Sequence, residues 1–157
     1  MHLGKISLGE VLEFAVSVER NGLAMYRQFA VTFAGTELEK LFDEVADEEV
    51  KHEEDFKRML GDAKVENLPE SYFDEYREYL ESIVNLHLFQ GKKVEEIAAK
   101  ITDANEALKF ALEFEKDSLL FFLELKNLVD DKDKAMVDKL INEERGHVLK
   151  LSKKLIS

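Results

Sequence analysis

The chain has 157 residues, of which 45% are hydrophobic and 36% charged, and a formal net charge of −12. Such acidity argues against nucleic acid and anionic membrane surfaces as partners, since both would be repelled. The absence of cysteine excludes disulfides, thiolate chemistry, iron–sulfur clusters and Cys-based zinc sites.

The length suits one domain, residues 1–157, with a single sizeable core. Seven Gly and one Pro in the whole chain point to long helices with few turns. The opening MHLGKISLGEVLEF lacks a basic flank followed by a long apolar run, and no apolar run is long enough to span a bilayer. The expectation is a soluble cytoplasmic protein.

Apolar residues recur at helical spacing in four long segments. The first covers about 8–33, opened by a Ser7-x-x-Glu10 capping box and closed by Gly35. The second covers about 37–60, capped by Thr36 and Glu39 and stopped at Gly61. A crossover follows at about 62–102, with Pro69 and one or two shorter helices. The third long helix covers about 104–129, with Asp103 and Glu106 as its start signal. The fourth covers about 134–156, after the acidic turn DDKD. Short connections make helices one and two, and three and four, antiparallel neighbours. The predicted fold is therefore all-α: a four-helix bundle of two hairpins joined by a long crossover.

The two halves repeat. VLEFAVSVERNGLAMY, from Val11, aligns with ALKFALEFEKDSLLFF, from Ala107, and pairs Glu19 with Glu115. LFDEVADEEVKH, from Leu41, aligns with MVDKLINEERGH, from Met136, and pairs Glu49 with Glu144 and His52 with His147. The second pair shares a Glu-Glu-x-x-His skeleton, which holds two of the four histidines.

Periodicity says where these groups point. The apolar seam of the first helix reads Leu8, Leu12, Ala15, Glu19, Gly22, Tyr26, Phe29, and that of the third reads Leu108, Ala111, Glu115, Ser118, Phe122. On the second helix Val45, Glu49, His52 and Phe56 share a face; on the fourth, Leu140, Glu144, His147 and Leu151 do. Each helix thus carries a glutamate in mid-seam, and two carry a histidine one turn later. Four buried carboxylates without a cation would each cost several kcal/mol or take up a proton. No Lys or Arg lies on these seams. Two dipositive metal ions would balance the charge, with imidazoles completing the shells. Oxygen and imidazole donors without thiolate favour iron or manganese, and zinc would also bind.

One Glu from each of two helices, and a Glu-x-x-His from each of the other two, is the donor set of ferritin-like di-iron carboxylate proteins. With VERNGLAMY, DEEVKHEEDF, EFEKDSLLFF and NEERGHVLKL in place, essentially the whole chain resembles the rubrerythrin branch of that superfamily. The resemblance implies a ferritin-like bundle with two iron ions held by Glu19, Glu49, His52, Glu115, Glu144 and His147. Glu49 and Glu144 would bridge the ions, and each His would bind one. The chain departs from the family pattern twice. It has no Cys for a rubredoxin-like domain, so electrons would come from an external donor protein. Ser118 stands where rubrerythrins commonly carry a further Glu, which bears on the peroxide reaction more than on the metal site.

The remaining polar groups are expected to be structural. Tyr26 fills core, with a hydrogen bond to the cluster or a redox role as its functional alternative. Glu48, Glu53, Glu54 and Glu143 sit on solvated faces. His87 packs in the crossover or lies on the surface. His2 is terminal, and Tyr72, Tyr76 and Tyr79 are packing residues of the crossover helix. The expected function is reduction of hydrogen peroxide or dioxygen at a dinuclear iron site by a homodimeric non-haem oxidoreductase. Iron binding and oxidation for handling or storage is the alternative.

Overall fold

The computed structural model describes residues 7–62, 74–87 and 94–157. His2, Pro69 and Tyr72 lie outside the described residues. Among the described residues six helices follow in order: α1 (Leu8–Thr32), α2 (Glu37–Asp62), α3 (Asp74–Leu86), α4 (Val94–Ala99), α5 (Ala104–Leu128) and α6 (Asp131–Ile156). The four long ones form the bundle, and the crossover contributes the two short ones.

Local chemistry sets the ends. The Ser7 side chain accepts from the Glu10 backbone at 3.1 Å while the Glu10 carboxylate accepts from the Ser7 backbone at 3.2 Å, closing the capping box. Gly35 turns the chain between α1 and α2 at φ +80°, a conformation that a Cβ disfavours. Thr36 Oγ1 then accepts from the Leu38 backbone, and the Glu39 carboxylate accepts from Gly35 rather than from Thr36. The Asp103 carboxylate caps α5 through the Glu106 backbone at 3.0 Å.

Two boundaries differ from expectation. α2 runs through Gly61 to Asp62, because a helical glycine costs only about 1 kcal/mol and nothing forces a turn there. α6 begins at Asp131, three residues before the expected Lys134, so the acidic stretch is its first turn. Asp131 and Asp133 sit at the positive end of the helix dipole, which favours that outcome.

α1 packs along α2 and α5 along α6, while α4 lies on α1 and α3 on α5. The two hairpins face each other in antiparallel register. Phe14 meets Phe121 at one end of the α1–α5 seam, and Phe29 meets Phe110 at the other. Between them the seam carries Leu12, Ala15, Glu19, Gly22, Tyr26 and Phe29 of α1, all buried, against Leu108, Ala111, Glu115, Ser118 and Phe122 of α5. An aromatic cluster of Phe29, Phe33 and Phe42 closes the end near the first turn. The polar groups of interest are therefore held at mid-bundle, with packed rings above and below.

Candidate metal centre

Six side chains converge at the middle of the bundle: Glu19 from α1, Glu49 and His52 from α2, Glu115 from α5, and Glu144 and His147 from α6. None is more than 1% exposed. They fall into two overlapping groups. Glu19, Glu49, His52 and Glu144 each offer a donor atom within 4.8 Å of the others, and so do Glu49, Glu115, Glu144 and His147. Glu49 and Glu144 belong to both groups, so two shared carboxylates join them.

Both imidazoles present Nδ1 to the centre. His52 Nδ1 lies 2.9 Å from Glu144 Oε1 and 3.4 Å from Glu19 Oε2. His147 Nδ1 lies 3.4 Å from Glu49 Oε1, 3.4 Å from Glu115 Oε1 and 3.5 Å from Glu144 Oε2. The outward nitrogens are held from the opposite hairpin. His52 Nε2 sits 2.6 Å from Glu143 Oε2 of α6, and His147 Nε2 sits 2.5 Å from Glu48 Oε2 of α2. A carboxylate accepts, so each Nε2 carries a proton, and in the neutral imidazole the Nδ1 lone pair faces the centre.

Glu48 and Glu143 were expected on solvated faces. They are about one-third exposed, yet each reaches across to the histidine of the other Glu-Glu-x-x-His copy. Going from 48 to 52 on α2 runs against 147 to 143 on α6, so antiparallel crossing makes the first Glu of each copy the brace of the other copy's His. The doubled Glu in both copies was the available signal, but its partner becomes visible only once the two helices are placed. Glu53 is another correction. It is buried and bound by Arg20 of α1 at 3.0 Å and by Lys57 at 3.1 Å, so this ion pair ties α1 to α2 beside the site. Glu54 is exposed, as expected.

Tyr26 combines both of its expected roles. Its ring is fully buried against Phe42 and Phe114, and its hydroxyl donates to Glu115 Oε1. Burial and the neighbouring Glu115 push the phenol well above its ordinary value, so it remains a donor. Gly22 makes room for the site. A Cβ there would lie 2.8 and 2.9 Å from two Phe114 ring carbons and 3.0 Å from Glu49 Oε2.

The donor set fits a pair of cations. Seven inward polar atoms lack a hydrogen-bond partner: both oxygens of Glu19, one each of Glu49, Glu115 and Glu144, and Nδ1 of both histidines. Buried polar atoms are normally satisfied, and these seven point at one another. In the metal-free centre protons take up the charge. Burial first, then repulsion among the carboxylates, holds Glu19 and Glu49 well above the ordinary range and pushes Glu115 up to about 8. Burial also opposes the charge on Glu144, but the close approach of Glu115, His147 and His52 outweighs it and holds that carboxyl below its ordinary value. Burial opposes a charge on His52 too, but Glu144 and its neighbours raise the imidazole to about 9. His147 is raised in the same way. Divalent cations binding to these atoms would displace those protons.

The model of the family described as Rubrerythrin matches residues 10–155. The chain belongs to the rubrerythrin family. A Thermotoga maritima protein, given the provisional description of ferritin-like diiron-carboxylate protein at 2.30 Å, superposes with a TM-score of 0.76 and 28% identity, covering 98% of this chain and 97% of that one. The bundle is thus ferritin-like. No curated protein matches the chain. Family membership and the buried Glu/His cluster together indicate a dinuclear metal site. Among the described residues, no helix is long and apolar enough to cross a membrane.

Proposed function

We propose that this rubrerythrin-family chain is a non-haem di-iron oxidoreductase that reduces hydrogen peroxide or dioxygen with electrons from an external donor protein. The observation that carries the reading is the pair of four-residue groups sharing Glu49 and Glu144. Glu19 and His52 would serve one ion, Glu115 and His147 the other, and the shared carboxylates both.

Two bound ferrous ions would supply the two electrons that peroxide reduction consumes. The chain's own residues set the conditions. Glu143 and Glu48 fix the imidazoles so that Nδ1 faces inward. Tyr26 holds Glu115 by a hydrogen bond. Ala15, Val45, Ala111 and Leu140, each no more than 1% exposed, keep bulk water from the donors. The 157 residues hold no cysteine for an iron–sulfur electron entry, which supports an external donor protein as the source of the electrons. The working form is taken to be a cytoplasmic homodimer, for which size-exclusion chromatography is the check.

The test is anaerobic mixing of the reduced, iron-loaded protein with stoichiometric hydrogen peroxide or with dioxygen, followed optically, with repeated cycles driven by a low-potential reductant. Repeated peroxide consumption supports the reading. Oxidation that stops after one round and leaves mobilised ferric iron points instead to iron handling.

A further inference from the structure

Among the described residues, a cavity outside the metal centre has a buried histidine in its lining. It has a volume of about 200 Å³ and lies between α3 and α5, lined by Tyr79, Ser82, Ile83, Leu86, His87, Asp117 and Leu120. Its rim is open, with Leu86 80% and Leu120 45% exposed, while His87 at its floor is 4% exposed. A buried imidazole at the bottom of an apolar cleft is an uncommon placement.

His87 Nε2 lies 3.2 Å from Ser118 Oγ, and Ser118 Oγ donates to the Phe114 carbonyl at 2.8 Å. The serine's one proton is therefore committed, so His87 donates from Nε2 to the Ser118 oxygen. Burial also favours the neutral ring, lowering the group to about 4. Ser118 follows Glu115 by three residues on the buried face of α5. Phe114 packs against both His87 and the α1 face of the centre. Phe114 meets His87 edge-on at 5.6 Å on one side, and on the other it fills the space beside Gly22, next to Glu49 Oε2. Phe14 closes His87 from α1, edge-on at 5.7 Å.

We infer that this cavity is the access route by which a small uncharged oxidant such as hydrogen peroxide passes His87 and Phe114 to reach the centre. The inference rests on the proposed oxidoreductase function for its choice of ligand. The apolar rim admits a small neutral molecule and disfavours ions.

The experiment uses the intact reduced, iron-loaded protein with two probes, nitric oxide and hydrogen peroxide. Nitric oxide reports arrival at ferrous iron without needing turnover. Leu120→Trp and Ser82→Trp, both at exposed lining positions, narrow the cavity from its two sides. Each should slow nitric oxide binding and peroxide oxidation about tenfold, because passage then waits on helix motions, while iron content and ferrous affinity stay unchanged. Leu149→Trp, on an exposed position of α6, should change neither. Nitric oxide binding at the wild-type rate in both Trp variants overturns the access route. A wild-type protein that binds nitric oxide but ignores peroxide contradicts the oxidoreductase reading instead, and the nitric oxide rates still decide the route.

Discussion

Gly22 and Gly146 provide a matched test of how tightly the bundle is built around its centre. Both lie inside long helices, α1 and α6. A Cβ on Gly146 meets nothing within 4 Å, whereas one on Gly22 would press on Phe114 at 2.8 and 2.9 Å and on Glu49 Oε2 at 3.0 Å. Replacing a mid-helix glycine by alanine gains roughly 0.5–1 kcal/mol of helix stability. Gly146→Ala should show that gain undiminished, as a Tm about 1–4 °C higher. Gly22→Ala receives the same gain but adds overpacking of about 1–3 kcal/mol, since the Phe114 ring is fully buried in a close-packed core. The net is a loss of roughly 0–2.5 kcal/mol. The displaced Glu49 carboxylate adds a second effect, a fall in ferrous affinity of about 10–100-fold, the scale seen when a metal ligand's support is disturbed. Thermal melts of the metal-free proteins and equilibrium iron titrations measure the two effects separately. Equal behaviour of both alanine variants in Tm and in iron affinity would refute the close-approach argument.

Glu48→Gln and Glu143→Gln should each lower ferrous affinity by about 10–100-fold, and to a similar extent, because each braces one of two equivalent histidines; iron titration reads this directly. Tyr26→Phe removes the donor to Glu115 Oε1 inside the core and should lower the stability of the loaded protein by about 1–2 kcal/mol, or roughly 2–8 °C in Tm, with the fold unchanged by circular dichroism. The metal-free protein should lose stability on the alkaline side. His52 is raised from 6.5 to about 9, so its contribution is full below 6.5 and vanishes as pH rises through 9, and Glu115, raised to about 8, acts in the same direction. Glu48, held at about 2, gives the opposite limb, lost as pH falls from 4.5 toward 2. Melts between pH 5 and 9.5 should show the alkaline decline without metal and its disappearance with metal bound; parallel curves would contradict the proton-for-metal exchange.

The sequence made the mid-seam glutamates legible because a charged residue in an otherwise apolar helical stripe is conspicuous. Glu19 and Glu115 stand out by period alone, and the repeat pairs Glu49 with Glu144 and His52 with His147. What periodicity hides is anything set by the angle between helices. Glu48 and Glu143 are one residue, about 100° of helix, off the seam, and they look solvated until the opposite hairpin arrives. Glu53 was misplaced for the same reason, since its partner Arg20 lies on another helix. The late start expected for α6 came from reading DDKD as a turn, when acidic residues serve equally well in a first helical turn. His87 offered no sequence signal of burial, because the face it covers belongs to α5 and α1.

Two adjacent ion positions built on shared Glu49 and Glu144 form the central claim. Its most direct measurement is metal analysis of protein purified anaerobically without a metal-binding tag and reconstituted with ferrous iron, alongside Glu49→Ala and His147→Ala. The account predicts about two irons per wild-type chain, the capacity of this donor set, and clearly less in both variants. Wild-type protein that holds no iron after reconstitution, or variants that bind as much as wild type, would contradict it.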